Sequence, residues 1–147
     1  GIVTQEPQLL EDRTTFENIS FALEVLGFEE KEIDEKTSTL IDLVGLNESM
    51  YKFPSQLSGG EQTRACIARA LASNPLVLLC DEPTGNLDSK NAETVMSILD
   101  KLHANGATIC MVTHDPRSAA RSQRIIEVFD GKIVSDQFNN DVTAIAV

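Results

Sequence analysis

Hydrophobic positions in the first third of the chain recur at helical spacing. One stripe is formed by Phe16, Ile19, Leu23 and Leu26, and a second by Ile33, Thr37, Leu40, Ile41 and Val44. Thr14 and Glu17 have the spacing of a capping box, so the first helix is predicted to begin there. Gly27 and Gly45 follow the stripes and can adopt the left-handed backbone that ends a helix. Residues 9–57 are therefore predicted to form an α-helical subdomain.

The middle of the chain predicts a strand, a helix and a second strand. Apolar runs at 76–80 and 108–113 have the length and composition of strands that are covered on both faces. Between them lies a predicted helix that ends at Gly106 and whose apolar positions are Ala92, Val95, Ile98, Leu99 and Leu102. Strands joined in this way are parallel, so their carboxyl ends share one edge of the sheet. The pattern predicts an α/β fold.

Two further strands, at 124–129 and 132–135, are predicted around a turn at Asp130 and Gly131. The segment 137–147 carries no motif. The predicted organisation is a strand and loop at 1–8, the helical subdomain at 9–57, an α/β part at 58–136 and a tail at 137–147.

The composition argues against nucleic acid as a partner. The 147 residues include 23 acidic and 12 basic side chains, a net charge of −11, whereas nucleic-acid affinity depends on Lys and Arg. No apolar run is long enough to span a bilayer, and the first residues lack the pattern of a signal peptide. Cys66, Cys80 and Cys110 lie in apolar stretches and lack CxxC spacing, so we interpret them as reduced thiols in apolar surroundings.

Acidic and imidazole side chains stand at the predicted carboxyl ends of the two central strands. Asp81 and Glu82 follow the first strand, and His114 follows the second. Ligands bind beyond these ends in open parallel sheets. The first carboxylate can hold Mg²⁺, and the second can accept a proton from water. The alternative is that these acids lie in an ordinary solvated turn.

A glycine-rich helix start lies at residues 57–62, with the sequence LSGGEQ. Ser58 and Glu61 again have capping-box spacing. Gly59 and Gly60 let the backbone approach a ligand, and the free N–H groups and the helix dipole favour an anion such as phosphate. The alternative is an ordinary flexible helix start.

Five segments together resemble the motifs of ABC transporter ATPases, and they occur in the order of that family. They are the Q-loop at 3–5, the signature sequence at 57–62, the Walker B strand at 76–84, the D-loop at 85–88 and the switch-histidine segment at 112–115. The wording EPTGNLD at 82–88 is similar to the branch of lipoprotein-releasing, macrolide-exporting and cell-division-linked transporters. The resemblance implies a P-loop NTPase-like fold, and a subunit that couples ATP hydrolysis to transport across a membrane.

The resemblance also implies a role for each matching residue. At the reaction itself, Gln5 would contact Mg²⁺ and the attacking water, and Asp81 would help hold Mg²⁺. Glu82 would be the general base, and His114 would contact the γ-phosphate of ATP. The family forms a head-to-tail homodimer of two such domains. The residues that would contact the nucleotide held by the second domain are Ser58, Gly59, Gly60 and Gln62. Communication between the two sites falls to Asn86 and Asp88.

A membrane partner is implied as well. The resemblance suggests a transmembrane permease subunit that docks on the helical subdomain at the cytoplasmic face of the membrane. Residues 1–53 carry twelve acidic and four basic side chains, which form either a solvated face or a dock for basic helices of the permease. On the second interpretation, reversing Glu29, Glu30 and Glu32 to Lys weakens assembly.

One family motif, the phosphate-binding loop G-x-x-x-x-G-K-[ST], is absent from the sequence. The single Gly-Lys pair, Gly131 and Lys132, has Ile126 and Ile133 where Gly and Ser or Thr belong. We therefore expect a truncated chain that neither binds ATP tightly nor hydrolyses it alone, an expectation that micromolar affinity in a calorimetric titration with Mg-ATP would contradict. Loss of the strand that carries this loop also predicts strand exchange between copies or a rearranged C-terminal segment.

Two other functions remain open at this point. A catalytically inert regulatory or scaffolding protein with the ABC fold is one, although retention of Glu82 and His114 argues against it. A DNA-repair or chromosome ATPase of the wider ABC group is the other, but neither long coiled coils nor a basic surface is visible in the sequence.

Overall fold

The computed structural model describes residues 1–139. The chain divides into two compact units, of which the first is Gly1–Val112 and the second begins at Thr113. The first unit contains β1 (Ile2–Val3), α1 (Thr15–Val25), α2 (Glu30–Leu43), two 3-10 turns (Asn47–Ser49 and Pro54–Gln56), α3 (Gly59–Leu71), β2 (Val77–Asp81), α4 (Ser89–Ala104) and β3 (Thr108–Val112).

The helices of the first unit begin and end where the sequence predicts. Thr14 caps α1 through a complete capping box with Glu17, and Gly27 and Gly45 take positive φ values of 80° and 65° beyond α1 and α2. Leu26 is the exception, because α1 ends at Val25 and Leu26 is exposed instead of packing with its predicted stripe.

A single core joins the helices of this unit to the sheet. Its fully buried members include Ile19 and Ile41 from α1 and α2, and Ile67 from α3. Arg64 ties α3 to the end of α2, because its guanidinium donates hydrogen bonds of 2.8 Å to the carbonyl oxygens of both Val44 and Gly45. Those carbonyls lie at a helix end, where partners within the helix are lacking.

The sheet of this unit has three parallel strands in the order β1-β2-β3. The predicted βαβ unit is confirmed, with Asp81 opposite Val112 at the carboxyl end. Coverage of both strand faces, however, was predicted wrongly for the described residues. Leu78 is buried against the helices, whereas Leu79 and Val112 on the opposite face are 45% and 60% exposed. A short apolar run does not reveal how many faces are covered.

The second unit contains the short helix α5 (Pro116–Ala119) and an antiparallel hairpin of β4 (Arg124–Phe129) and β5 (Lys132–Phe138). The predicted turn is confirmed, because Asp130 and Gly131 both have positive φ, as a two-residue hairpin turn requires. The strand β5 is three residues longer than predicted, so Gln137 and Phe138 belong to it. The rest of the predicted tail, 140–147, lies outside the described residues.

The three cysteines are free thiols. Cys66 and Cys80 are buried, and burial raises the pKa of both, that of Cys80 to about 12. Cys110 is exposed on β3, so the apolar surroundings predicted for all three hold for two of them.

Candidate nucleotide site

The sheet brings two of the predicted catalytic residues to one edge. Because Val3 lies opposite Cys80 in parallel strands, the chain leaves β1 and β2 on the same side. A methyl group built on Gly85 would lie 3.4 Å from Nε2 of Gln5 and 3.5 Å from Cβ of Glu82. The predicted water-orienting amide and the predicted general base therefore both border the turn that contains Gly85.

The backbone of Glu82 is strained. This residue has a φ of 46°, in the left-handed region that glycine favours. Its N–H donates to the carbonyl of Val112 at 2.9 Å, and its own carbonyl accepts from the N–H of Gly85 at 3.0 Å. Such a conformation costs on the order of 1–3 kcal/mol and is concentrated at functional sites. Nothing in the sequence indicates this strain, which marks Glu82 independently of its motif.

Asp81 and Gln5 fit a magnesium ion that is held mainly by a nucleotide. Asp81 is exposed at the carboxyl end of β2. Within residues 1–139, no group of three His, Cys, Asp or Glu side chains is placed to hold a metal ion. Magnesium in nucleotide sites takes one or two protein ligands and completes its shell with phosphate oxygens and water. One carboxylate and one amide match that small set.

The start of α3 is held by a dense set of hydrogen bonds on Glu61. The Ser49 hydroxyl donates to this carboxylate at 2.6 Å, and the N–H and hydroxyl of Ser58 donate to it at 2.8 and 2.7 Å. These bonds, that of Ser49 foremost, lower the pKa of Glu61 to about 2. The predicted capping box of Ser58 and Glu61 is confirmed. Gln62 uses its amide structurally, donating to the carbonyl of Pro54 at 2.9 Å.

The loop that ends at Asp88 packs against this helix start. Asp88 caps α4, accepting from the N–H groups of Lys90 and Asn91 at 2.9 and 3.0 Å and from Nδ2 of Asn91 at 2.6 Å. These bonds, led by that of the Asn91 N–H, lower the pKa of Asp88. Asn86 is exposed in the same loop. The sequence analysis did not identify Asn91, although an Asn three residues after an N-cap Asp signals a possible side-chain contact.

His114 belongs to the second compact unit. It follows Val112, the last residue of β3, by two positions and is exposed. The next residue, Asp115, caps α5 and accepts from the N–H groups of Arg117 and Ser118, each at 3.2 Å. The approach of His114 to Glu82 stays a prediction.

The sequence is similar to those of two kinds of ATP-binding protein. The cell division ATP-binding protein FtsE of Streptococcus pneumoniae is 42% identical over 138 residues, which cover 93% of this chain and 60% of the relative. The macrolide export ATP-binding/permease protein MacB of Hyphomonas neptunium is 42% identical over 144 residues, 98% of this chain and 22% of the relative. The chain thus spans about 60% of the length of FtsE.

The fold is also similar to that of a solved ATP-binding cassette. The ATP-binding cassette MJ0796, in a dimeric post-hydrolysis state bound to ADP and Pi, superposes with a TM-score of 0.84 at 35% identity. The match covers 95% of this chain and 62% of that protein. The family profile described as ABC transporter matches residues 1–85, more than half of the 147 residues. The chain therefore belongs to the ABC transporter family, in the class of its ATP-binding cassettes.

Proposed function

We propose that the protein carrying this chain binds and hydrolyses ATP as the cassette subunit of an ABC transporter and couples hydrolysis to transport across a membrane. The observation that carries the proposal is the meeting of Gln5 and Glu82 beside Gly85, at the sheet edge where Asp81 ends β2. The proposal is supported by the similarity to FtsE and MacB, which are named as ATP-binding proteins, and to the ATP-binding cassette MJ0796. The motif G-x-x-x-x-G-K-[ST], which holds the phosphates of ATP in this family, does not occur in these 147 residues.

In this proposal the chain's own residues position water and receive its proton. Glu82 accepts a proton from the water that attacks the terminal phosphate, and the Gln5 amide orients that water. Mg²⁺, held in part by Asp81 and Gln5, supplies charge neutralisation on the phosphate oxygens. His114 contacts the γ-phosphate. Because phosphoryl transfer depends mainly on positioning and electrostatics, the fixed backbone of Glu82 is an advantage.

A second copy of the cassette completes the site. The capped start of α3 is formed by Ser58, Gly59, Gly60 and Gln62. It has the helix dipole of an anion site, and the N–H groups of Gly59 and Gly60 have no partner within the helix. We place the triphosphate of the partner copy there, in a head-to-tail homodimer. The dimeric state of MJ0796 supports this arrangement.

The permease docks on the groove between α1 and α2. This groove has a volume of about 520 Å³ and combines half-buried apolar residues with exposed acids: Phe16, Phe28, Ile33, Glu17, Glu24, Glu30 and Asp34. Lys36 places its Nζ 5.0 Å from the centre of the Phe28 ring, so this side of the subdomain accommodates a cation. An amphipathic helix with Lys or Arg beside an apolar stripe fits such a surface.

The proposed permease determines where the cassette lies in the cell. A permease helix of that kind places the cassette at the cytoplasmic face of a membrane. None of the helices in the described part of the chain combines the length and apolar character that crossing a bilayer requires.

The replacement Glu82→Gln tests the catalytic proposal. The amide keeps the size of the side chain but cannot accept the proton, so phosphate release should fall by about two to four orders of magnitude. Binding of Mg-ATP, measured by calorimetry on the same protein, should be retained. Glu48→Gln is the matched control, because Glu48 is exposed on the first 3-10 turn.

Equal turnover in wild type and Glu82→Gln would refute Glu82 as the base. Absence of turnover in a wild-type protein that binds ATP would instead support the inert regulatory alternative.

A further inference from the structure

The first turn of α3 and the first turn of α4 touch at a place where no side chain fits on α3. A methyl group built on Gly60 would lie 2.5 Å from Oδ1 and 2.6 Å from Cγ of Asn91. Real Cβ atoms do not approach other atoms so closely, so Gly60 is required by its neighbour Asn91 and not only by a ligand. At the preceding residue, a methyl group built on Gly59 would lie 3.5 Å from Cδ2 of Leu87, an ordinary contact.

Asn91 is itself fixed in place. Its Nδ2 donates to Oδ2 of Asp88 at 2.6 Å, and its backbone N–H donates to Oδ1 of the same carboxylate at 3.0 Å. Donors to a carboxylate make strong hydrogen bonds. The Asn91 side chain therefore cannot swing away from Gly60 without giving up a bond to Asp88.

We propose that Asn91 is a positioning residue that clamps the Asp88 loop to the start of α3. One end of its amide holds Asp88, and the other end fills the space that Gly60 leaves open. The clamp is built within one chain. It gives a function to a residue that belongs to none of the five motifs.

The clamp has a consequence for catalysis, and this step rests on the proposed function. In the proposed head-to-tail homodimer, Asp88 and the start of α3 both face the second cassette. If their mutual distance is fixed, the loop beyond Glu82 and the phosphate-binding turn of α3 move as one body when two cassettes close. Small displacements of catalytic groups change rates strongly, so a loosened clamp slows turnover more than it weakens ATP binding.

The contact is tested first by a size exchange, in which the residue at position 60 is enlarged and the residue at position 91 is reduced. This test measures melting temperature and requires no enzymatic activity. Gly60→Ala should lower the melting temperature by roughly 5 °C, because an added methyl group overpacks the contact. Asn91→Gly removes the three closest atoms and frees the space. The melting temperature of the double variant should fall by much less than the sum of the falls in the two single variants. Strict additivity of the two losses would overturn the clamp.

The positioning role is tested by steady-state kinetics of the protein that carries the phosphate-binding loop. Asn91→Ala should reduce kcat by about tenfold while KM for ATP changes less than about twofold. Asn91→Ser keeps a short donor and should restore part of the rate. Lys101→Ala, exposed near the end of the same helix, is the control and should leave both parameters unchanged.

The outcomes separate the two proposals. A variant Asn91→Ala that is less stable but has wild-type kcat and KM would refute positioning and leave Asn91 a purely structural residue. A wild type without ATPase activity would refute the proposed function, while the melting temperatures of the size exchange would still decide whether the clamp exists.

Discussion

At the scale of single residues, Glu61 links the first 3-10 turn to the start of α3. Its carboxylate accepts from the hydroxyl of Ser49 in the helical subdomain and from Ser58 at the start of α3. A carboxylate with several donors is stabilised in its charged form, which explains its lowered pKa. The predicted capping box accounts for only the Ser58 half of this network.

This network predicts a pH dependence of stability. The pKa of Glu61 falls from an ordinary 4.5 to about 2 in the folded protein. A lowered folded-state pKa stabilises the fold above the unfolded value, so this contribution is full above pH 4.5 and is lost as the pH falls toward 2. Urea unfolding at a series of pH values should show a shallower acid decline for Glu61→Gln than for wild type.

The matched control for that measurement is Glu48→Gln, which should keep the wild-type slope because Glu48 is exposed and outside the network. Parallel acid declines in wild type and Glu61→Gln would contradict the assignment.

At the scale of elements, periodicity carried most of the prediction. The stripes of α1, α2 and α4, apart from Leu26, and the glycines that follow these helices were predicted from local spacing, and the structure has them. The strands β2 and β3 were predicted to within one residue at their carboxyl ends. Three features do not follow from spacing. The open face of the sheet, the positive φ of Glu82 and the contact of Gly60 with Asn91 depend on which elements pack together, and a linear pattern does not record packing.

The groove between α1 and α2 makes the docking prediction sharper. Of the three acids chosen from the sequence, Glu30 lines the groove, whereas Glu29 and Glu32 are not among its lining residues. Reversing Glu30 and Asp34 to Lys should therefore weaken co-purification with the proposed permease by about tenfold or more, and less so at high salt, where charges are screened.

Reversal of Glu29, the N-cap of α2, and Glu32 provides a control with the same change of charge at the start of the same helix. Acids in a first turn also stabilise the helix, so circular dichroism of both pairs should accompany the measurement. Equal assembly with both pairs reversed would contradict docking in this groove.

At the scale of the whole molecule, the three-stranded sheet leaves apolar surface in contact with water. Ile2, Leu79 and Val112 line its open face, and among the described residues no strand pairs with the outer edge of β3. Exposed apolar faces and strand edges promote association. The 147-residue chain should therefore show a scattering mass that rises with concentration.

Leu79→Lys should reduce this association, because it places a charge in the middle of the open face. Leu76→Lys is the matched control: Leu76 precedes β2 and is already 92% exposed. A constant monomer mass for the wild-type chain at every concentration would contradict the prediction.

The left-handed backbone of Glu82 makes thermal stability and the proposed catalysis compete at this position. Replacing Glu82 with Gly or Asn relieves a conformation that both residues tolerate, and should raise the free energy of unfolding by up to about 1 kcal/mol. The same replacement removes the proposed proton acceptor. A laboratory selection that rewards only thermal survival should therefore favour replacement of the acid at position 82, and with it loss of the proposed ATP hydrolysis.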